Sequence, residues 1–307
     1  MLDLTTVKTN VTDLMTRLDF PADAQAVLLA ALDRIGTDKV AAAWLARLMA
    51  QYDESETCAY RQMLADIRAM GEALGLHEYT VSLLLFLCLG EKLRARYAER
   101  GIDEAVYYAS MADLRYKLEE CRLVHGEVGS FVASWFSGFF NLTRFALGRL
   151  QFEIIKTKQD YTVGGTRLPA GSKAINIHIP RTGTRLDHGE VLDAYRRAAE
   201  WFAPQLEGQP TVFTCSSWML DPWNMTVLAP TSNMAAFYGD FEIVESGSYD
   251  SYSSVWRLFD CAYTGDPDAL PGNSSLRRAY IERIRLGQPT GWGRGFFLWR
   301  DGEIVRA

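Results

Sequence analysis

The sequence predicts an α+β protein in which an all-helical N-terminal domain, residues 1–149, precedes an α/β domain, residues 150–307. In the first half, apolar residues recur every three or four positions, which is the period of an amphipathic helix. After Leu150, short apolar runs bounded by turn residues replace that period, as is typical of strands. This change of period places the domain boundary near residues 148–152.

Glycine and proline residues divide the helical half. Pro21 stands near the start of a helix, and Gly75 and Gly101 each follow the end of one. The apolar run 81–90 is about half as long as a membrane-spanning helix, so it predicts a buried helical segment. The predicted helices cover residues 22–35, 40–52, 57–74, 77–99, 103–124 and 131–149.

Strands and helices are mixed in the second half. Asp301 and Gly302 predict the tip of a terminal hairpin that includes a strand over 296–299. Residues 246–250 predict a polar turn between two strands, and the glycine-rich 288–293 segment predicts another turn. The predicted strands are 152–155, 161–163, 174–179, 211–218, 241–244 and 253–259, and the predicted helices are 190–202, 233–237 and 276–286.

Composition excludes several classes of protein. The formal net charge of −6 argues against nucleic acid or an anionic membrane surface as the main partner. Five scattered cysteines without a CxxC pair indicate a reducing compartment, so a cytoplasmic location without a secretory signal peptide is expected. The histidines lack metal-ligand spacing and no HExxH motif occurs, so no metal is expected.

A loop that suits an anion follows the strand 174–179. Gly183 lets ligands approach the backbone N–H groups, Arg181 and Arg185 supply positive charge, and a helix begins shortly afterwards. Backbone N–H groups and a helix N-terminus together can hold a pyrophosphate. The alternative is an ordinary strand-to-helix connection whose arginines face solvent.

Asn176 and His178 alternate with isoleucines along the same strand. Both side chains therefore project from one face, and the other face is apolar. A histidine in this position is a candidate proton acceptor from an amine or alcohol. The alternative is a histidine that is hydrogen-bonded within a core.

The next strand ends in a second group of candidates. Cys215 is a possible nucleophile with His178 as its base, although a small buried cysteine is the commoner case. Ser216 and Ser217 are better placed to hydrogen-bond a ligand. Asp221 could orient a substrate, and its alternative is a simple Asp-Pro turn.

Five segments give the chain a resemblance to a known family, a bacterial family of two-domain acyltransferases. They are 147–153, 176–180, 213–222, 231–233 and 241–244. The resemblance implies a helical N-acyltransferase domain followed by a GNAT-like α/β domain with a mixed, mostly antiparallel sheet. It also implies transfer of an acyl group from acetyl-CoA or a longer acyl-CoA to a small-molecule amine or alcohol.

An acyl-CoA-dependent acyltransferase is the leading hypothesis, and it directs the site assignments. Pantetheine would run between strands 174–179 and 211–218, and His178 would be the general base. The leaving thiolate would be held or protonated by Ser216, Ser217 or Tyr238. The cofactor-binding candidates are Ile179, Arg181, Thr182, Gly183, Thr184 and Arg185; the substrate-binding candidates are Asn176, Cys215, Trp218, Asp221 and Asn233.

Two features keep other functions open. The loop at Arg181 has only the beginning of the Q/R-x-x-G-x-G/A pattern of acetyl-CoA binders, and residues 288–293 match that pattern without a following helix. A GNAT-like module that binds a small molecule or acyl group without chemistry is therefore the main alternative. A hydrolase that uses Cys215 is a third. The protein is expected to be a monomer or a homodimer.

Overall fold

The computed structural model describes residues 3–54 and 59–305, apart from the side chains of residues 53 and 54. Cys58 and the predicted start of the helix 57–74 therefore lie outside the described residues. Internal contacts divide the chain into one compact unit that ends at Phe145 and a second that begins at Ala146. Within the described ranges, no helix is both long enough and apolar enough to cross a membrane.

The first unit is built around α5, which packs against each of α1, α2, α3, α4 and α6. The residues from Thr80 to Gly90 in this helix are buried, which confirms the buried segment predicted there. Asp103 caps α6 by accepting a hydrogen bond from the Ala105 N–H group. The helices are α1 (Leu4–Arg17), α2 (Ala22–Thr37), α3 (Lys39–Glu54), α4 (Tyr60–Ala73), α5 (Glu78–Glu99) and α6 (Glu104–His125).

The helix predicted over 131–149 is wrong. A 3₁₀ turn at Ala133–Phe136 and the short α7 (Ser137–Phe140) come first, and the strand β1 (Arg144–Leu147) follows. Leu142 between them is buried and has a φ of 56°, a left-handed conformation that ends the helix. Tertiary burial of this segment overrides its helical spacing.

The second unit contains a seven-stranded sheet in the order β1-β2-β5-β6-β8-β7, with β9 pairing on β8. The β5–β6 pair is parallel, whereas β2–β5, β6–β8, β7–β8 and β8–β9 are antiparallel, so the expected mixed, mostly antiparallel sheet is confirmed. The strands after β1 are β2 (Leu150–Lys156), β3 (Tyr161–Val163), β4 (Thr166–Leu168), β5 (Lys173–His178), β6 (Val212–Ser217), β7 (Glu242–Ser248), β8 (Gly291–Arg300) and β9 (Glu303–Val305).

The helix α8 (His188–Leu206) covers one face of this sheet. Its buried Tyr195 packs against the rings of Phe213 and Phe297, with ring centroids 5.4 and 4.8 Å away. The β3–β4 hairpin covers one end of the opposite face, where Tyr161 packs on Phe296. The remaining helices are α9 (Asn233–Gly239), α10 (Trp256–Phe259) and α11 (Ser275–Arg285).

Three local predictions in this unit are wrong. Residues 246–250 are not a turn between strands, because β7 continues to Ser248. The predicted strand 253–259 is a turn followed by α10, which buries Val255 and Phe259, four residues apart, against α11. The segment 288–293 is not a turn at its end, because Gly291 already begins β8.

Gly291 and Gly293 have a packing role that explains the glycine-rich pattern. A Cβ atom added at Gly293 would lie 1.9 Å from the carbonyl oxygen of Leu220, and one at Gly291 would lie 2.6 Å from Asp221 Oδ2. The segment after β6 therefore lies directly on β8, which only glycine permits. The resemblance of these glycines to a cofactor motif needs no ligand to account for it.

Replacing Gly293 with alanine should therefore destabilise the protein. Because the clash is with backbone rather than with a flexible side chain, we expect a loss of about 3 kcal/mol, measured by urea unfolding. Gly239→Ala is the matched control, since its added Cβ would meet nothing within 4 Å. Equal unfolding midpoints for the two variants would contradict the close approach.

Candidate active site

The strands β5 and β6 separate after a short parallel ladder. Their described pairing consists of Ile175 with Phe213 and Asn176 with Thr214. Both strands then continue, β5 to His178 beside β2 and β6 to Ser217 beside β8. The edges that face each other across this opening carry main-chain N–H and C=O groups that the β5–β6 ladder does not use. We call this opening the β5–β6 gap.

His178 and Glu153 form the central contact of the site. His178 Nε2 lies 2.7 Å from Glu153 Oε1, and the two side chains are 20% and 19% exposed. The Asn176 side-chain amide donates to the same Glu153 oxygen over 3.4 Å. Asn176 Nδ2 also lies 3.1 Å from His178 Nε2. In the neutral tautomer that donates from Nε2 to the carboxylate, Nδ1 is the ring nitrogen that can accept a proton.

Sheet register explains why these side chains meet. Glu153 on β2 pairs with Asn176 on β5, and His178 pairs with Gln151. Partners and alternate residues share a face, so Glu153 lies diagonally across from His178. Sequence reasoning missed Glu153 although it assigned the strand correctly. The strand pattern fixes which face a residue occupies, but the register of β2 against β5 decides its neighbour.

Arg149 stabilises the backbone of the predicted anion loop. Its guanidinium donates to the carbonyl oxygens of Pro180, Thr184 and Arg185 at 3.2–3.5 Å. Gly183 has a φ of 81°, and an added Cβ there would meet nothing within 4 Å, so the backbone at the loop tip is open. The loop is thus preorganised and reachable.

Thr182 and Thr184 share a hydrogen bond at the tip of this loop. Their hydroxyl groups are 2.8 Å apart, and the Thr184 N–H donates to the Thr182 hydroxyl. Both side chains are exposed or half-buried, as is Ile179 at the start of the loop. A bound anion would compete for these hydroxyl groups and amides.

Two carboxylates modify the charge of the loop. Arg181 Nε donates to Asp260 Oδ1 over 2.9 Å, and Asp260 Oδ2 accepts from Arg277 over 2.6 Å. At the helix itself, α8 begins at His188, and Asp187 caps it by accepting from the Glu190 N–H group. Asp187 therefore already accepts from an N–H group at the start of α8, where the sequence predicted an anion. The amides and arginines of the loop are the groups that remain for binding an anion.

The candidate proton donors lie at the end of β6 and on α9. Ser216 is exposed, whereas the Ser217 hydroxyl oxygen accepts from the Met219 N–H group and caps the 3₁₀ turn there. Tyr238 on α9 is half-buried, and burial, followed by the charge of Asp221, raises the pKa of its phenol. Tyr238 therefore stays protonated at neutral pH.

Asp221 and Trp218 have structural partners. Asp221 is 6% exposed, and its carboxylate accepts from Arg283 over 2.7 Å and from the Trp223 N–H group. The Trp218 ring packs edge-on against Tyr280. These contacts account for both residues as parts of a buried cluster without a substrate.

Cys215 and Asn233 are the remaining sequence candidates. Cys215 is buried, and burial raises the pKa of its thiol to about 12, which leaves it protonated and inaccessible. Asn233 is the half-buried first residue of α9, which Ser232 caps. In the part of the chain that the structure describes, no three His, Cys, Asp or Glu side chains group as a metal site.

Two known family models match the chain. Residues 144–297 match the model of a GNAT-like C-terminal domain, and residues 9–142 match that of an N-acyltransferase N-terminal domain. The chain belongs to the two-domain N-acyltransferase family. The resemblance noted from the five segments is thereby confirmed, and with it the assignment as an enzyme of acyltransferase type.

Solved acyltransferase structures share this fold. One, in complex with decanoyl-CoA and teicoplanin, is 25% identical, with a TM-score of 0.75 over 94% of this chain and 88% of that one. A mutant acyltransferase in complex with octanoyl-CoA is 24% identical, with a TM-score of 0.73 over the same shares. No curated protein is significantly similar to this chain.

The state of Cys215 can be checked by alkylation. At about pH 8, iodoacetamide should label the partly exposed Cys261 in this N-acyltransferase-family protein and leave Cys215 unmodified, because only the thiolate reacts. Peptide mass spectrometry would measure both, and both should be labelled in urea. Labelling of Cys215 in the folded protein as fast as Cys261, with loss of activity, would support the hydrolase alternative instead.

Proposed function

We propose that this protein is an acyl-CoA-dependent acyltransferase that uses His178 as general base to acylate a small-molecule amine. The observation that carries this proposal is the His178–Glu153 pair beside the β5–β6 gap. A histidine whose tautomer is fixed by a carboxylate can accept a proton from an incoming nucleophile. Family membership supports acyl transfer as the reaction.

The reaction would proceed by direct attack. The acceptor nitrogen attacks the thioester carbonyl carbon as its proton passes to His178 Nδ1. The carbon–sulfur bond then breaks, and the thiolate takes a proton. Tyr238, whose phenol is protonated at neutral pH, is one candidate donor; Ser216 and Ser217 are the other candidates. Glu153 holds the imidazole and stabilises the imidazolium that forms.

The donor would occupy the gap and the loop. The main-chain groups of β5 and β6 that their ladder does not use suit the amide groups of pantetheine, and the 179–185 loop suits the phosphates. The relative that is 25% identical was solved with decanoyl-CoA and teicoplanin, which makes decanoyl-CoA the first donor to test and supports a small-molecule acceptor.

A second candidate function is acyl-CoA binding without transfer. Asp187 at the N-terminus of α8 and Asp260 on Arg181 both reduce the positive charge that a phosphate would meet. Measured transfer or thioester turnover would exclude this candidate. A cytoplasmic location and a monomeric or homodimeric state stay predictions, which fractionation and light scattering would test.

His178→Ala should lower kcat with decanoyl-CoA by about 100-fold or more and leave the Kd of decanoyl-CoA unchanged. The reason is that the imidazole acts on the acceptor proton rather than on the cofactor.

Glu153→Gln should lower kcat by about 10- to 100-fold, and Glu153→Asp, which keeps a carboxylate, should lower it less.

The matched control for these variants is His125→Ala, which removes an exposed histidine at the end of α6. Turnover would be followed by release of the CoA thiol, and donor affinity by calorimetry. Unchanged kcat in His178→Ala would remove this residue from the mechanism. A Glu153→Gln variant that lost donor affinity instead of turnover would assign Glu153 a purely structural role.

Arg181→Ala should weaken decanoyl-CoA binding about tenfold. Only the Nε–H group of Arg181 donates to Asp260, so the other N–H groups of the guanidinium can donate to a phosphate. The same variant should bind decanoyl-pantetheine, which lacks the nucleotide phosphates, as well as the wild type does. Thermal-shift titration measures both, since a ligand that binds the native state raises the melting temperature.

Arg197→Ala is the control for this loss of positive charge, because Arg197 lies on the exposed side of α8 beside Asp193. It should leave both affinities unchanged. If Arg181→Ala weakened both ligands equally, the effect would come from the shape of the loop rather than from phosphate contact. If neither ligand raised the melting temperature of the wild type, the donor proposal itself would fail.

A further inference from the structure

A row of polar side chains runs across one face of the sheet, from the candidate base His178 on β5 to Glu245 on β7. In the sheet register, Ser216 on β6 pairs with Arg294 on β8, and Arg294 pairs in turn with Glu245 on β7. Asn176 on β5 pairs with Thr214, two residues before Ser216. Paired and alternate residues share a face, so His178, Ser216, Arg294 and Glu245 all project from the same side.

Within the residues that the structure describes, the part of the row on β6, β8 and β7 is accessible. The opposite face is buried under α8, and the β3–β4 hairpin covers the sheet farther along, around Phe296. Ser216 is exposed, and the side chains of Arg294 and Glu245 are 31% and 44% exposed. A molecule that reached His178 along the sheet would therefore meet these side chains.

Arg294 is equipped to bind an anion there. Its NH1 group donates to Glu245 Oε2 over 2.8 Å, and its guanidinium lies over the Trp292 ring at 5.9 Å. Among the residues that the structure describes, its Nε and NH2 groups have no further hydrogen-bond acceptor. A guanidinium edge with two free N–H groups matches a carboxylate in a paired, bidentate contact.

We propose that Arg294 is a specificity-determining residue that binds a carboxylate of the acceptor, so that the acceptor is a zwitterion with its reactive amine at His178. This inference rests on the proposed function and names its substrate class. Glu153 places a negative charge beside His178, and Arg294 places a positive charge farther along the row. An amino carboxylate laid along the row meets a complementary charge at each end.

Strand spacing sets the length of this acceptor. His178 and Arg294 lie on strands separated by β6, and two steps of the usual strand spacing amount to about 10 Å. The β5–β6 gap adds to this span. The acceptor would therefore hold its amine and carboxylate about 10 Å or more apart, too far for an α-amino acid.

The test uses wild-type protein, decanoyl-CoA and three matched straight-chain probes. The first is an ω-amino carboxylate with its end groups about 10 Å apart, the second is the alkylamine of the same length, and the third is the corresponding diamine. We expect kcat/KM to be about tenfold higher or more for the amino carboxylate than for either other amine, with the difference mainly in KM.

Arg294→Ala should remove this preference by raising KM for the amino carboxylate about tenfold, with kcat and the alkylamine values unchanged. Arg294→Lys should restore part of it, since a point charge remains. Arg300→Ala, which removes an exposed arginine at the end of the same strand, is the matched control and should behave as the wild type does.

The outcomes separate this inference from the proposed function. Equal kcat/KM for all three amines, or preference for the diamine, would overturn the role of Arg294. A wild type that does not bind decanoyl-CoA, or that binds it and transfers to none of the three amines, would overturn the proposed function instead. An Arg294→Ala variant that lost kcat for the alkylamine as well would show a structural effect rather than acceptor recognition.

Discussion

The divergence of β5 from β6 is the constraint on which the candidate site depends. Two parallel pairs join these strands, and each strand then follows a different antiparallel neighbour. Backbone groups on the facing edges do not pair with each other beyond this ladder, and such groups can bond water or a ligand. The same divergence sets His178 on one wall and Ser216 on the other. The candidate cofactor gap and the candidate base thus arise from one feature of the sheet.

A buried polar cluster keeps the β6 wall in place. Asn224 donates to the carbonyl oxygens of Trp218 and Met219 and accepts from the Tyr280 hydroxyl group, while Asp221 pairs with Arg283. Breaking a buried ion pair by removing one partner leaves an uncompensated charge, at a cost of about 3–5 kcal/mol. The glycines of β8 let this cluster lie against the sheet. Trp218 and Asp221, which the sequence predicted as substrate contacts, take part in this support.

The loop after β5 balances charge more closely than its arginines suggest. Asp260 lies between Arg181 and Arg277, and Asp187 caps the start of α8. Arg149 meanwhile fixes the loop through its carbonyl groups. Phosphate recognition by such a loop would draw on preformed geometry as much as on net charge, because preorganised donors lose little conformational entropy on binding.

The sequence by itself determined the two-part architecture, most helices, and the face on which His178 lies, because helical and strand periods are local properties of the chain. It could not identify Glu153 or Arg294 as neighbours of the site, since strand order and register depend on contacts distant in sequence. It also assigned a helix to 131–149 and a strand to 253–259, where burial against other elements outweighed local spacing. Tertiary structure alone decided which polar side chains share one open face, because pairing between strands, not spacing along them, brings those charges together.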